Sequence, residues 1–323
     1  MGEFLGSFYS YSFKVLSFIS VILNLYFMAP KIFSKFDFKM SRVSRRKNQV
    51  IRDLNKYLQY HGQNVEILDV SLNFPKIRLN QKPYELPEYL KKEVDKVREE
   101  VLYNEKQAIV QYDMPSFWDL QNVQVVDYAT AKVLRESNKG KRPSSMIITA
   151  GAVLICAKKS AVILHKRSKK VETFGECYHT LGGAYQPEVS LQEQLNISQD
   201  RNSLMFTVIR EIFEECNVIL SPSAFKNVPI LASREIDTGF LQYYALGVNL
   251  TEEEFKNIDF SNEGTSHLID FANLEEELKK ENWTPSGKAH VLMWLGLHAT
   301  GVRFGKLFNR KRPKKVFDNI VSS

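Results

Sequence analysis

Hydrophobic residues along the chain follow two patterns. Short runs rich in Val, Ile and Leu predict β-strands, and longer runs with apolar residues every three or four positions predict helices. The order of the predicted elements in the second half is strand, strand, loop, Leu-Gly-Gly, loop, helix, two strands, strand and two helices. Predicted strands there cover 146–157, 161–167, two parts of 228–244, and 266–271. Predicted helices cover about 204–216, 274–279 and 286–299, the last capped by Ser286.

The first half of the chain predicts a small α+β unit over residues 48–138. Its predicted strands are 65–70, 77–79, 107–112 and 123–126, and its predicted helices are 87–103 and 127–135. The polar stretch 138–145, Asn-Lys-Gly-Lys-Arg-Pro-Ser-Ser, predicts a linker or a long loop. Nothing within this unit has the spacing of a catalytic group.

Residues 1–47 form a separate segment, apolar at first and then basic. Residues 4–30 are apolar and aromatic with Lys14 as the only charge, and Lys and Arg residues follow up to Lys47. Two interpretations remain open. The segment is a membrane anchor that contacts a membrane through residues 4–47 and keeps the following chain in the cytoplasm. Alternatively, it is an extension that precedes a working protein starting at Met40.

Charge is unevenly distributed along the chain. The net charge is +7, yet residues 1–50 carry eight Lys or Arg against two acidic residues, and the predicted basic tail 301–323 carries seven against one. The stretch 51–300 is therefore net acidic. The two ends are suited to an acidic surface or to solubilising the protein, and RNA is a less favoured partner that stays open. Three cysteines without metal-type spacing predict reduced thiols and a cytoplasmic protein.

Three carboxylates lie on one face of the predicted helix 204–216. At 100° per residue, Glu215 lies about 40° to one side of Glu211 and Glu214 about 60° to the other. Arg210 reaches Glu214 at i+4, which offsets part of the repulsion. Such a face is common on solvated surface helices. The preceding Leu181-Gly182-Gly183 favours instead a site for a hard cation such as Mg²⁺.

The stretch Arg210-Glu-Ile-Phe-Glu-Glu-Cys-Asn-Val218 resembles the second half of the Nudix box, and residues 145–300 resemble a Nudix hydrolase domain. The resemblance implies an α+β protein: an α/β/α sandwich with a mixed sheet, preceded by the small α+β domain. There are three departures from the family pattern. Asn217 replaces a Gly, Asn202 stands where the family has a Glu, and residues 184–201 form an insertion. Asn217 also accepts the left-handed conformation that ends a helix.

Metal-dependent chemistry follows from this resemblance. It implies that Glu211, Glu214 and Glu215 bind Mg²⁺, with Mn²⁺ as the alternative, and that the Gly182 carbonyl adds a ligand. Glu214 and Glu215 also take part in catalysis, and Arg210 orients a glutamate rather than contacting the substrate.

Other residues are assigned on weaker signals. Glu263, in a turn, is a candidate general base, although a turn glutamate is commonly solvated. Arg167 ends a predicted strand and is a candidate phosphate ligand together with Gly183, while His165 is expected to be a packed or surface histidine.

The resemblance implies hydrolysis of a pyrophosphate bond in a nucleoside diphosphate derivative. The products would be a nucleoside monophosphate and a phosphorylated second group. The order of elements in 48–138, with Asp127-Tyr-Ala-Thr-Ala-Lys132, is similar to Nudix enzymes that act on UDP-sugars, which suggests a nucleotide-sugar substrate. The alternative is a non-hydrolytic Nudix-like module that binds a nucleotide or RNA.

Overall fold

The computed structural model describes residues 44–102, 104–137, 143–169, 174–187, 204–259, 264–299 and 311–322. The chain divides into two compact units, Met1–Asn48 and Gln49–Ser323. Residues 44–48 of the first unit are described and are helical. The apolar segment 4–30, most of the insertion, Asn202 and Glu263 lie outside the described residues. The following paragraphs concern the second unit.

One mixed sheet contains every named strand of the described residues. The strands are β1 (Val65–Ser71), β2 (Lys76–Leu79), β3 (Lys106–Gln111), β4 (Asp119–Asp127), β5 (Ser145–Cys156), β6 (Ala161–Arg167), β7 (Tyr178–His179), β8 (Leu181–Ala184), β9 (Ile230–Glu235), β10 (Phe240–Asn249) and β11 (Gly264–Asp270). The sheet runs β1-β9-β10-β5-β3-β4-β2. Strands β8 and β6 also pair with β5, and β7 and β11 pair with β6. The pairs β5–β10 and β2–β4 are parallel, and the other pairs are antiparallel.

Helices cover both faces of the sheet. They are α1 (44–60), α2 (Glu88–Glu100), α3 (Tyr128–Ser137), α4 (Leu204–Cys216), α5 (Glu252–Lys256), α6 (Leu274–Lys279), α7 (Pro285–Ala299) and α8 (Lys311–Val321). Short 3₁₀ turns cover Ala157–Lys159 and Pro222–Phe225. This is the predicted α+β sandwich with a mixed sheet.

Strand β5 lies at the centre because its sequence has no polar face. Eleven of its twelve residues are buried. Since successive side chains point to opposite faces, such a strand needs cover on both sides. Ile148, Ala150 and Leu154 pack in the same cluster as α4. Val153 and Ile155 pack in a second cluster with α7, on the other face.

The strands of the predicted N-terminal unit continue the same sheet. Strand β3 pairs with the first residues of β5, and β1 pairs along its length with β9. Residues 49–323 accordingly form one compact unit. The domain boundaries inferred from the sequence, with a break at 138, remain predictions.

Three local features differ from the sequence-based expectation. Helix α7 is capped by Thr284 rather than Ser286, because the Gly287 amide donates to Thr284 Oγ1 at 3.0 Å. Helix α1 was not predicted. Helix α8 lies within the stretch expected to be a basic tail, and it buries Val316, Phe317 and Ile320.

The three cysteines are free thiols, with Cys156 and Cys216 buried and Cys177 half-buried. They are reduced, as the sequence analysis expected. None of the helices in the described part of the chain is long and apolar enough to span a membrane.

Candidate active site

Helix α4 carries the predicted carboxylates and lies flat on the sheet. Leu204, Val208 and Ile212 are spaced four residues apart and are all fully buried in the same cluster as β5. The helix ends where the sequence predicts. Asn217 has a φ of 54°, and its amide donates to the Phe213 carbonyl at 2.8 Å. The left-handed conformation of Asn217 stops the helix directly after the carboxylates.

Two of the three carboxylates turn toward strand β8. The Gly182 amide donates to Glu215 Oε2 at 3.0 Å, and His165 Nδ1 lies 3.4 Å from Glu215 Oε1. Glu211 lies against Gly183. Burial raises the pKa of Glu211 to about 8, the Arg210 guanidinium opposes this shift, and the Glu215 charge adds to it. The two carboxyl groups thus lie in a poorly hydrated position, where a bound cation would favour their ionised forms.

Arg210 connects helix α4 to the end of β8. Its guanidinium donates to Gln186 Oε1 at 2.7 Å and to the Ala184 carbonyl at 3.1 Å, and it forms an ion pair with Glu211. Its Nε lies 3.6 Å from Glu214 Oε2. Arg210 is buried, so these contacts orient Glu211 and bind the helix to the strand.

Glu214 is the most exposed of the three carboxylates. Its side chain is 56% exposed and contacts Arg210. Among the described residues there is no cluster of three or more His, Cys, Asp or Glu side chains arranged to bind a metal ion.

Glu211 and Glu215 nevertheless fit the divalent cation that the Nudix resemblance implies. They supply hard oxygen donors, and Arg210 compensates only part of their charge. Mg²⁺ is commonly bound by one or two carboxylates and completed by substrate phosphates.

Glycines allow β8 to approach both the helix and β5. A methyl group on Gly183 would overlap the Glu211 carboxylate, and one on Gly151 would overlap the Leu181 carbonyl oxygen. Gly182 has a φ of 152°, within the range that side chains disfavour. Close packing against the backbone of β5 therefore requires glycine at 182, while Gly183 leaves room for the Glu211 carboxylate.

Buried histidines support this edge of the sheet. His179 Nδ1 lies 2.6 Å from Thr284 Oγ1, and its Nε2 lies 3.2 Å from the Tyr244 hydroxyl. Burial lowers the pKa of His179 well below its usual range, so the ring is neutral. Tyr244 also stacks on His290, with ring centroids 3.9 Å apart. These contacts fix Tyr244 and His179 beside β8. Sequence reasoning missed both residues.

A cavity of about 340 Å³ lies beside strand β8. Gly182 and Gly183 form part of its wall, and the predicted phosphate ligand Arg167 lies in the same lining. The residues that line the cavity are Gln107, Tyr128, Lys132, Arg135, Ile147, Thr149, Arg167, Phe174, His179, Gly182, Gly183, Ala184, Glu235, Thr238, Phe240, Gln242, Tyr244, Thr284 and Ser286. The charged groups of this lining are three cations and one carboxylate, so phosphate groups are favoured near its cationic part.

Glu235 is the one acidic residue of that lining. Its side chain is 4% exposed. Burial raises the pKa of Glu235 to about 7, and Ser286, Arg167 and Thr238 oppose the shift by favouring the charged form. Sequence reasoning did not single out Glu235, because its burial arises from pairing with β1 and β10 and leaves no local signal. The sequence signal for a polar site in this part of the sheet was Gln242, a polar residue that stands between apolar neighbours in β10.

The chain matches no protein-family model and no curated protein sequence. The solved structures that it resembles include a MutT protein from Methanosarcina mazei Go1, with 16% identity over 46% of this chain and 92% of that one, at a TM-score of 0.33. A C. elegans Ap4A hydrolase shows 13% identity over 47% and 95%, at a TM-score of 0.29. The chain resembles the Nudix hydrolases.

A third Nudix likeness is to a bifunctional NMN adenylyltransferase/ADP ribose pyrophosphatase from Francisella tularensis, solved with AMP and a manganese ion. The identity is 13% over 52% of this chain, and the TM-score is 0.31. The match spans 49% of the Francisella protein, so about half of that protein has no counterpart in this chain. At these identities and TM-scores the similarity to Nudix structures is one of fold and carries no conclusion about activity.

Proposed function

We propose that this chain hydrolyses a pyrophosphate bond in a nucleoside diphosphate derivative with the help of Mg²⁺ or Mn²⁺. The products would be a nucleoside monophosphate and a phosphorylated second group. One observation carries the proposal: Glu211 and Glu215 are held against Gly182 and Gly183, which also line a cavity containing three cationic side chains. This arrangement suits a substrate whose phosphates lie between a bound cation and fixed positive charge.

The residues of helix α4 would divide the work. Glu211 and Glu215 bind the cation, with the Gly182 carbonyl as a further oxygen ligand. Bound there, the cation supplies positive charge that offsets the charge developing on the phosphate oxygens. Arg210 holds Glu211 in place. Glu214 is exposed and completes the carboxylate set by turning toward the phosphates, and Glu263 remains the predicted general base.

The substrate class we propose is a nucleotide-sugar. Three side chains of helix α3, Tyr128, Lys132 and Arg135, line the cavity. They come from the part of the chain that resembles UDP-sugar-hydrolysing Nudix enzymes. The N-terminal residues would therefore help to bind the substrate, not only to stabilise the sheet.

The test is hydrolysis by the full chain with Mg²⁺ or Mn²⁺. The substrates are UDP-sugars, ADP-ribose, a dinucleoside polyphosphate and nucleoside triphosphates, and products are identified by mass spectrometry in ¹⁸O-labelled water. We expect Glu215→Gln and Glu214→Gln to lower kcat/KM by about 100-fold or more, since each change removes several kcal/mol of charge stabilisation. Glu253→Gln, on the exposed side of α5, is the matched control. Hydrolysis of none of these substrates, or hydrolysis unaffected by the α4 changes, would refute the proposal.

A second candidate function is a non-hydrolytic module that binds a nucleotide. The exposure of Glu214 favours it, because only Glu211 and Glu215 are buried beside β8. Calorimetric binding of a nucleoside diphosphate sugar with no product formed would support this alternative. RNA, suggested by the basic ends, would be tested by the same titration.

We also propose that the protein works in the cytoplasm, with membrane contact through residues 4–47 as the open question. Cell fractionation of the full chain and of a chain starting at Met40 would compare the two interpretations. Recovery of the full chain in the soluble fraction would argue against an anchor.

A further inference from the structure

Glu235 and its neighbours form one polar surface on the sheet. Residues paired across neighbouring strands share a face. Glu235 lies opposite Phe240, and Phe240 lies opposite Ile147. In the next row, Gln242 lies opposite Thr149. All five residues line the cavity, so the carboxyl of Glu235 forms part of its floor.

The hydrogen-bonding capacity of this floor is only partly used within the protein. Gln242 Nε2 donates to the Glu235 carboxyl at 3.5 Å, the long limit of such a bond, and the hydroxyls of Ser286 and Thr238 also favour its charged form by hydrogen bonding. Among the described residues, Glu235 forms no salt bridge. Thr149 is 7% exposed, and its hydroxyl has no hydrogen-bond partner. Buried polar groups of this kind are normally satisfied, so they fit a ligand that brings its own donors and acceptors.

Glu235 lies far from the position proposed for the reacting phosphates. Strands β8, β5, β10 and β9 lie side by side, and neighbouring strands are spaced by about 4.8 Å. Glu235 on β9 is therefore about 14 Å across the sheet from Gly182 on β8. A side chain at that distance cannot reach a phosphate held by Glu211 and Glu215. It meets a remote part of the same substrate.

The chemistry of the floor favours hydroxyl groups on that remote part. Phosphates are disfavoured next to a buried carboxyl, and a cationic group is disfavoured by Lys132, Arg135 and Arg167 in the same lining. The neutral polar residues of the floor can both donate and accept hydrogen bonds, as hydroxyl groups do. They are Gln107, Thr149, Thr238, Gln242 and Ser286.

We propose that Glu235 determines specificity by accepting hydrogen bonds from neighbouring hydroxyl groups of a sugar ring in the substrate. The proposal rests on the proposed hydrolysis of a nucleoside diphosphate derivative and adds the hydroxyl-bearing group that the cavity selects. Either the nucleoside ribose or the second sugar supplies these hydroxyls. Both present the same donors, and the experiment separates them.

The experiment compares three probes with the full chain. They are UDP-glucose, 2′-deoxy-UDP-glucose, which lacks the ribose hydroxyl, and UDP-2-deoxyglucose, which lacks a hydroxyl on the second sugar. Each is measured by hydrolysis with Mg²⁺ and by calorimetric binding without it. Variants are Glu235→Gln and the control Glu66→Gln. Glu66 lies on the neighbouring strand β1, forms an ion pair with Arg234 on β9, and is outside the cavity lining.

We expect the wild-type chain to lose about 10- to 100-fold in kcat/KM for one deoxy probe, as for a lost hydrogen bond to a carboxylate. Glu235→Gln should lose a similar factor on UDP-glucose, mainly through KM, and should no longer distinguish the deoxy probe. Glu66→Gln should behave as wild type. The probe that loses activity identifies the sugar. The wild-type comparison needs no variant, so it stands even if Glu235→Gln folds poorly.

Three results would overturn the specificity role. Equal hydrolysis of all three probes by the wild-type chain would refute it and leave the proposed hydrolysis intact. A Glu235→Gln variant that distinguishes UDP-glucose from the deoxy probes as well as wild type does would also refute the specificity role. If binding depends on a sugar hydroxyl and on Glu235 but no product forms, the specificity role is supported and hydrolysis is refuted. If no probe is bound or hydrolysed, the specificity role is refuted, and hydrolysis of the wider substrate panel decides the proposed function.

Discussion

Replacing Glu235 by Gln tests the cost of burying an ionised carboxyl in the cavity floor. The pKa of Glu235 is raised from an ordinary value of 4.5 to about 7, with burial as the largest cause. The folded protein therefore binds this proton more tightly than the unfolded chain does. Stability is unaffected by the group below about pH 4.5 and falls as the pH rises toward 7, where the folded state must ionise a buried acid.

The magnitude follows from the size of the shift. At about 1.36 kcal/mol per pKa unit, a rise from 4.5 to about 7 corresponds to about 3 kcal/mol at pH 8. Glu235→Gln keeps the shape and removes the ionisation. We expect the unfolding free energy of the variant, relative to wild type, to rise by about 2 to 3 kcal/mol from pH 5 to pH 8, because the unfolded carboxyl is already mostly ionised at pH 5. Effects of the amide that do not depend on pH cancel in this comparison.

The assay is urea unfolding of both proteins at pH 5, 6, 7 and 8 without divalent cations. Glu252→Gln provides a control of opposite sign. The hydrogen bond from Lys158 holds the pKa of Glu252 below its usual range, so wild type should lose stability relative to that variant only below about pH 4.5, and their difference should stay constant from pH 5 to pH 8. A stability difference between wild type and Glu235→Gln that stays constant from pH 5 to pH 8 would show that Glu235 is hydrated or paired, and the reasoning would fail.

Substitutions at three further positions test local features. Asn217→Val should cost about 1–2 kcal/mol, because a β-branched residue disfavours the left-handed end of helix α4, while Asn217→Gly should be nearly neutral in the same thermal unfolding measurement. Gly183→Ala should lower kcat/KM with little loss of stability if Glu211 moves away from the new methyl group, and full activity would contradict the close packing. Phe317→Ala should cost about 3 kcal/mol in urea unfolding, because its ring is buried in the core, and a loss below about 1 kcal/mol would mean that α8 packs loosely.

The sequence predicts those elements whose signal is local. Strand β6 and helix α6 match their predicted bounds, since an apolar run and a short charged helix are bounded by clear turns. The left-handed Asn217 was also predictable from the residue type. In contrast, α8 was hidden by its lysines and arginines, although Val316, Phe317 and Ile320 have helical spacing.

The site could be predicted only in part, for a related reason. The carboxylates of α4 lie in one short stretch, and their resemblance to a known motif is readable. That Glu214 is exposed while Glu215 is buried depends on side-chain packing, which no spacing encodes. Glu235 and Thr149 come together because β9, β10 and β5 are neighbours in the sheet, and such long-range pairing leaves no local pattern.

The pairing of β3 with β5 has a consequence for any shortened form of the protein. Backbone groups of Ile147 and Ser145 pair with β3, and the Ala108 amide donates to the Tyr185 carbonyl just after β8. Without residues 1–138, residues 145–147 of β5 would lose their partner β3 and β9 would lose its partner β1, leaving open, apolar edges. Such edges recruit strands from other chains and promote aggregation. A chain limited to residues 145–300 would therefore be expected to self-associate, with the new edge of β5 directly beside the cavity.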